Sequence, residues 1–279
     1  MDLLDILKMR GFGMQAKTKL LRHQDPRFDI EKLYRDGLIE AYQSVQTQDL
    51  LSCEYVIAFV GRESTKACFV GIWRVIKKLD HPHPPYLRAF PHPELFEGEG
   101  LSYYQLEQVP GYTDLIGRLI IEWGSGARAW NQWLIEKPII EILPEGQIKP
   151  FPGYLDFVLS FDELKDMIAH SSSNRIWHQM LASVAGIYLI TDNQTGQHYV
   201  GSAYGKQGIL GRWKAYVQNG HGGNTELKAL LDEGSHRKKE FSYTLLRTLP
   251  TTLTQKEVIA KEQLYKLKLG SRAHGLNLN

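Results

Sequence analysis

Six residues in the last third of the chain carry side chains suited to chemistry at oxygen: Tyr188, Tyr199, Arg212, Tyr216, Glu262 and Asn277. Arg212 and Tyr216 stand four apart in a segment that reads as a helix from Gly208, so they share one helix face. There the guanidinium borders the apolar row of Ile209, Trp213, Tyr216 and Val217, and its fork can bind two oxygens of one phosphate. Glu262 falls in a second helical segment, 255–269, on a stripe with Val258, Tyr265 and Leu269. A carboxylate on an otherwise apolar stripe costs free energy unless it is paired or holds a cation. Taken singly, each residue also has a plain reading: packing tyrosines, a surface arginine, a glutamate at the margin of an amphipathic helix.

The elements that must position these groups can be read from the chain. Residues 187–190 and 198–202 are β-branched and aromatic, and the turn formers of 191–196 lie between them, so the pair reads as a β-hairpin. A third strand is expected at 241–246. Gly222 and Gly223 make a turn, with Asn224 as N-cap of a helix through Leu231.

Gly186-Ile187-Tyr188, ten intervening residues, and Tyr199-Val200-Gly201 resemble the signature of the GIY-YIG nuclease superfamily, with Val200 replacing the usual isoleucine. Arg212, Tyr216, Glu262 and Asn277 follow in the family's order, and the resemblance covers 184–279. It implies a metal-dependent endonuclease that hydrolyses phosphodiester bonds in DNA. Glu262 would bind Mg²⁺ or Mn²⁺, Arg212 would contact the scissile phosphate, and Asn277 would orient other groups (Asn279 is the alternative register). Tyr188 is the expected general base with Tyr216 its rival, and Tyr199 would orient water or phosphate. A phenol ordinarily has a pKa of about 10, so a base among them needs a downward shift. The expected fold is a small, mainly antiparallel sheet flanked by helices, with the hairpin, Arg212 and Glu262 on one face. Lys206, Lys214, His221 and Arg272 are candidate nucleic-acid contacts.

Charge supports a polyanionic partner. The chain has net charge +2, but residues 181–279 carry 13 Lys and Arg against 7 Asp and Glu, leaving the remainder net acidic. The 279 residues, 43% hydrophobic and 23% charged, read as two globular domains. No apolar run approaches a membrane span, the first residues lack a secretory pattern, and Cys53 and Cys68 have no metal or redox spacing. The expectation is a cytoplasmic protein without a membrane partner.

The fold class expected for the chain is α+β. Residues 1–150 read as a substrate-recognition domain of helices (3–9, 29–45) and a small curved sheet or open barrel. Its strands are expected at 54–60, 66–75, 103–109, 118–123 and 138–143, with a short helix at 128–135 and a proline-rich extended loop at 80–100. Phe59, Phe69, Trp73, Trp123 and Trp130 lie along this stretch, which resembles the PUA-like barrels that include readers of modified bases. The expectation is a restriction-type enzyme with site or modified-base selection by this domain. The alternatives are a repair or RNA-directed nuclease, or a catalytically silent nucleic-acid-binding module. Residues 151–183 read as a connecting helix, capped by Ser160 and Glu163, and a linker. Cutting both strands with one site per chain requires a homodimer or two successive nicks.

Overall fold

The computed structural model describes residues 1–124, 129–232 and 234–277, and the chain forms two compact units, 1–143 and 144–279. The fold is mixed α+β, with a curled half-barrel sheet in the first unit and a small antiparallel sheet in the second.

In the first unit the elements run α1 (Leu3–Met9), β1 (Thr18–His23), α2 (Ile30–Arg35), α3 (Ile39–Gln43), β2 (Val45–Gln46), β3 (Tyr55–Gly61), β4 (Lys66–Leu79), α4 (Pro84–Ala89), β5 (Ser102–Gln108), β6 (Leu119–Glu122), β7 (Asn131–Trp133) and β8 (Ile139–Ile142). The sheet order is β2-β5-β4-β3-β1-β7, with β6 paired to β4 and β8 to β6. Its central strands are apolar on both faces. Leu21, Ala58 and Val70 pack under α2 and α3, whereas Leu20, Phe59 and Phe69 join the cluster that contains Leu3 and Leu7 of α1. Double burial explains the unbroken apolar run of β3. Register shifts beside Ala58 and Val75 bend the sheet.

Three expectations are corrected here. The helix expected over 29–45 is two helices, because Gly37 takes a left-handed φ of 72° and ends the first. The loop at 80–100 contains α4 and a 3₁₀ turn, Pro93–Phe96, since proline presets the first helical turn, and Phe90 and Phe96 anchor them in the core. The helix expected at 128–135 is instead β7, which pairs antiparallel with β1. Its start at Arg128 lies outside the described residues.

The second unit contains β9 (Leu159–Ser160), α5 (Phe161–Ala169), α6 (Arg175–Ser183), β10 (Ala185–Asp192), β11 (His198–Ala203), α7 (Gly208–Asn219), α8 (Thr225–Asp232), β12 (Phe241–Leu249) and α9 (Gln255–Lys268). The sheet order is β11-β10-β12-β9, all antiparallel, with β11 at one edge. Residues 151–183 are not a connector. Leu159, Phe161, Leu164, Trp177 and Leu181 are buried in one core with Tyr188, Trp213 and Tyr243, so the unit begins near Pro144. Ser160 and Glu163 form the expected capping box. The β10–β11 turn is pinned by fully buried Asp192, which accepts from Arg237 at 2.5 Å and from Thr195 Oγ1 at 2.7 Å.

Candidate active site

The glycines of the hairpin are sterically required. A Cβ on Gly201 would overlap the Tyr188 ring, and one on Gly186 would come within 2.6 Å of the Arg247 carbonyl oxygen of β12. Tyr188 therefore lies flat across β11, where its hydroxyl meets two groups from α7. It hydrogen-bonds the Tyr216 hydroxyl at 2.9 Å and accepts from Arg212 Nε at 3.1 Å. Arg212 Nη2 also donates to the Tyr216 hydroxyl at 3.4 Å. The guanidinium stands 5.1 Å from the Tyr216 ring centroid, a cation–π contact. Tyr199 adds its ring 6.4 Å from that of Tyr188.

Burial decides the state of these phenols. Tyr188 and Tyr216 are inaccessible to solvent, and burial pushes both hydroxyls above the ordinary phenol value, outweighing the opposing charge of Arg212. In the protein alone the shift thus runs upward, opposite to the one a general base among them needs. Tyr199, at 9% exposed, is the least buried of the three.

Glu262 sits in a different setting. One of its carboxylate oxygens accepts from the Ser202 hydroxyl in a short hydrogen bond, and the other accepts from Lys266 Nζ at 2.7 Å. The lysine is one helical turn further along α9, and its side chain is only 4% exposed against 15% for that of Glu262. Asn277 acts on the backbone. Its Oδ1 accepts from the Val200 N–H and its Nδ2 donates to the Val200 carbonyl, both at 2.9 Å, so the side chain substitutes for a neighbouring strand at the β11 edge. The Leu276 N–H extends this cover to the His198 carbonyl at 2.8 Å.

Arg212 and Glu262 do not share a face of the sheet, contrary to expectation. Tyr188, Tyr199 and the site of Gly201 face α7, whereas Ile187 and Val200 face α9 and pack on Val258. Strand alternation puts Ser202 on the Val200 side, with Glu262. The physical reason is that α7 and α9 cover opposite faces, each burying its own apolar row. The two groups nonetheless flank adjacent residues of one edge strand: Tyr188 with Arg212 over Gly201, and Glu262 on Ser202. Since Val200 and His198 turn their backbone groups outward to Asn277 and Leu276, ladder alternation turns those of Ser202 outward as well.

The remaining predicted residues are dispersed. Lys206, Lys214 and Arg272 are exposed, and Arg272 donates to Gln263. His221 is part of a turn, its Nδ1 accepting from the Gly223 N–H at 3.0 Å, and Asn224 caps α8 by accepting from the Leu227 N–H at 2.8 Å. Sequence reasoning missed Ser202 and Lys266. The lysine had a signal, because it stands four residues after Glu262 on the same row.

Among the described residues no three His, Cys, Asp or Glu side chains gather into a metal cage. Glu262 with Ser202 is a partly buried hard-oxygen pair, and each carboxylate oxygen retains a second lone pair. That donor set fits a divalent cation which keeps most of its waters and takes further oxygens from a phosphate.

Neither a family model nor a curated protein matches the chain. Two solved structures resemble it. One is the catalytic domain of the homing endonuclease I-TevI, 22% identical, with a TM-score of 0.28, covering 34% of this chain and 98% of that one. The other is a mutant of the catalytic domain of the intron endonuclease I-TevI, 22% identical, with a TM-score of 0.29, covering 34% of this chain and 94% of that one. Among the described residues no helix is long and apolar enough to cross a membrane.

Proposed function

We propose that the second unit is a metal-dependent endonuclease of the GIY-YIG kind that hydrolyses phosphodiester bonds in DNA at the outer edge of β11. The observation that carries this reading is that Arg212 and Glu262, held from opposite sides, flank adjacent residues of the edge strand: Arg212 through Tyr188 at Gly201, and Glu262 at Ser202. A phosphodiester lying along that edge meets a guanidinium on one side and a carboxylate with its hydroxyl partner on the other. Arg212 is oriented by two phenolic oxygens that it does not neutralise, so its charge remains available to phosphoryl oxygens. Glu262 and Ser202 would hold Mg²⁺ or Mn²⁺, which when bound supplies charge stabilisation and a more acidic water. Tyr199, the least buried of the three tyrosines, orients water or phosphate, while Tyr188 and Tyr216 hold Arg212 in place. Asn277 keeps the edge strand in register. Lys206, Lys214 and Arg272 serve as phosphate contacts.

Substrate selection by the first unit makes the whole a restriction-type enzyme in the cytoplasm, where Cys53 and Cys68 remain free thiols. Phe59, Phe69, Trp73 and Trp123 are core residues in that unit and cannot stack on a base. Trp130 can, because it lines a cavity of about 380 Å³ with Asp25, Tyr42 and Gln46. This volume lies within the range of about 300–1,000 Å³ for small-ligand sites, and its lining joins the Trp130 and Tyr42 rings to polar groups, Asp25 paired with Arg27 among them, a mixture that suits an extruded base.

A second reading is a silent nucleic-acid-binding module. It is favoured by one observation: both oxygens of Glu262 already have protein donors. Plasmid DNA and cytosine-modified phage DNA, each incubated with Mg²⁺, Mn²⁺ or EDTA, separate the two. Metal-dependent cutting supports the nuclease. DNA binding without cutting on either substrate, or on RNA, supports the silent module.

A further inference from the structure

We propose that Lys266 is the resident counter-ion of Glu262 and sets the affinity of the site for its divalent cation. The inference rests on the metal-binding role given to Glu262 above and adds a residue which that role does not require. Lys266 Nζ lies 2.7 Å from a Glu262 oxygen, and the residue is 3% exposed. A lysine on the outer face of a helix would extend into solvent, whereas this one follows Val258 and Glu262 on the inward-facing row and is buried where its ammonium meets the carboxylate. Placing an ammonium beside a partly buried carboxylate offsets the cost of burying either charge.

The consequence for a cation is competitive. With the ammonium in place, the pair has no net charge, and a divalent ion approaching Glu262 meets a unit positive charge within a few ångströms. Coordination at that oxygen therefore competes with the ammonium and is easier once it moves off. Lysine is suited to such a move, having a flexible four-carbon stem and three rotatable donors. A phosphate at the β11 edge offers it a new acceptor, so that cation and substrate bind together more readily than the cation alone. The Ser202 hydroxyl holds the second oxygen meanwhile and keeps the carboxylate oriented.

The test is Mn²⁺ binding to the full chain without nucleic acid, followed by electron paramagnetic resonance of the free ion. Wild type, Lys266→Met, Lys266→Arg and Glu262→Gln are compared, with circular dichroism confirming that each is folded. Lys266→Met should bind about tenfold more tightly than wild type, the order expected when a unit charge beside a cation site is removed in a partly screened setting. Lys266→Arg should stay near wild type, and Glu262→Gln should lose the site. Equal or weaker binding by Lys266→Met, with wild type binding normally, overturns the role of Lys266 and leaves the metal reading intact. No binding by any chain, together with no cutting, removes the metal reading and this inference with it. If Lys266→Met does not fold, the wild-type Lys266 Nζ resonance, assigned by its loss in Lys266→Arg, must shift on saturation with Mg²⁺. An unmoved resonance overturns the proposal.

Discussion

Asn277→Ala is the substitution that tests how the edge strand is built. The Asn277 side chain is 3% exposed and makes two 2.9 Å bonds to one residue, filling both the donor and the acceptor of Val200. Alanine removes both partners at once and leaves an amide N–H and a carbonyl without them. A buried polar group left unsatisfied costs about 1–3 kcal/mol, and water entering from the edge recovers some of that, so the pair should cost about 2–4 kcal/mol. Strand β11 should then open more often. At about 1.4 kcal/mol per decade, hydrogen exchange at the Val200 amide should accelerate roughly 30- to 700-fold, measured by deuterium uptake of the 198–203 peptide against β12 as internal reference. Cutting should fall as well, because Gly201 and Ser202 lose their register. Asn277→Asp should be at least as harmful, since it replaces the donor to the Val200 carbonyl with a buried carboxylate oxygen. Exchange at Val200 changed by less than about threefold in Asn277→Ala would refute this account of the edge.

Other outcomes follow from the same geometry. Gly201→Ala should displace the Tyr188 ring, costing about 1–3 kcal/mol by overpacking and reducing cutting; unchanged stability by urea denaturation would contradict it. Asp192→Asn breaks a buried ion pair to Arg237 and should destabilise the second unit by about 3–5 kcal/mol in the same assay. Acid should weaken the first unit through His23, whose pKa burial lowers to about 4 despite the Gln43 hydrogen bond. The unfolded imidazole takes its proton near pH 6.5 and the folded one only near 4. This contribution is therefore complete above about pH 6.5 and lost as pH falls through that window, by about 3 kcal/mol in total. A His23→Phe variant should show a flatter acid limb in thermal melts. Trp130→Ala should leave Mg²⁺-dependent cutting of unselected DNA in place and abolish discrimination between modified and unmodified substrates. Retained discrimination would place selection elsewhere.

Much of the second unit was legible because local signals agreed there. The turn formers of 191–196 lie between two β-branched runs, Ser160 with Glu163 completes a capping box, and Arg212 with Tyr216 follows helical spacing. Which face each helix covers was not legible. Alternation along β10 and β11 separates Tyr188 and Gly201 from Ile187 and Val200, but nothing local states that α7 takes the first set and α9 the second. That choice is tertiary, and it is why Arg212 and Glu262 were expected on one face. The phenol shifts were likewise hidden, since they depend on how deeply Tyr188 and Tyr216 are buried. Lys266 carried a signal of its own: a lysine four residues after a glutamate on one helix row is placed to pair with it. In the first unit, Gly37 breaks what periodicity alone reads as one helix, and β7 owes its strand conformation to pairing with β1 rather than to its own sequence.

The most direct measurement is cleavage of supercoiled plasmid by wild type, Arg212→Ala and Glu262→Ala in Mg²⁺, with DNA binding measured in parallel in EDTA. A site shared across the β11 edge predicts that wild type nicks the plasmid, that each substitution alone abolishes nicking, and that binding stays within a few-fold of wild type for both. Full activity in either variant, or loss of binding in step with cutting, would contradict it.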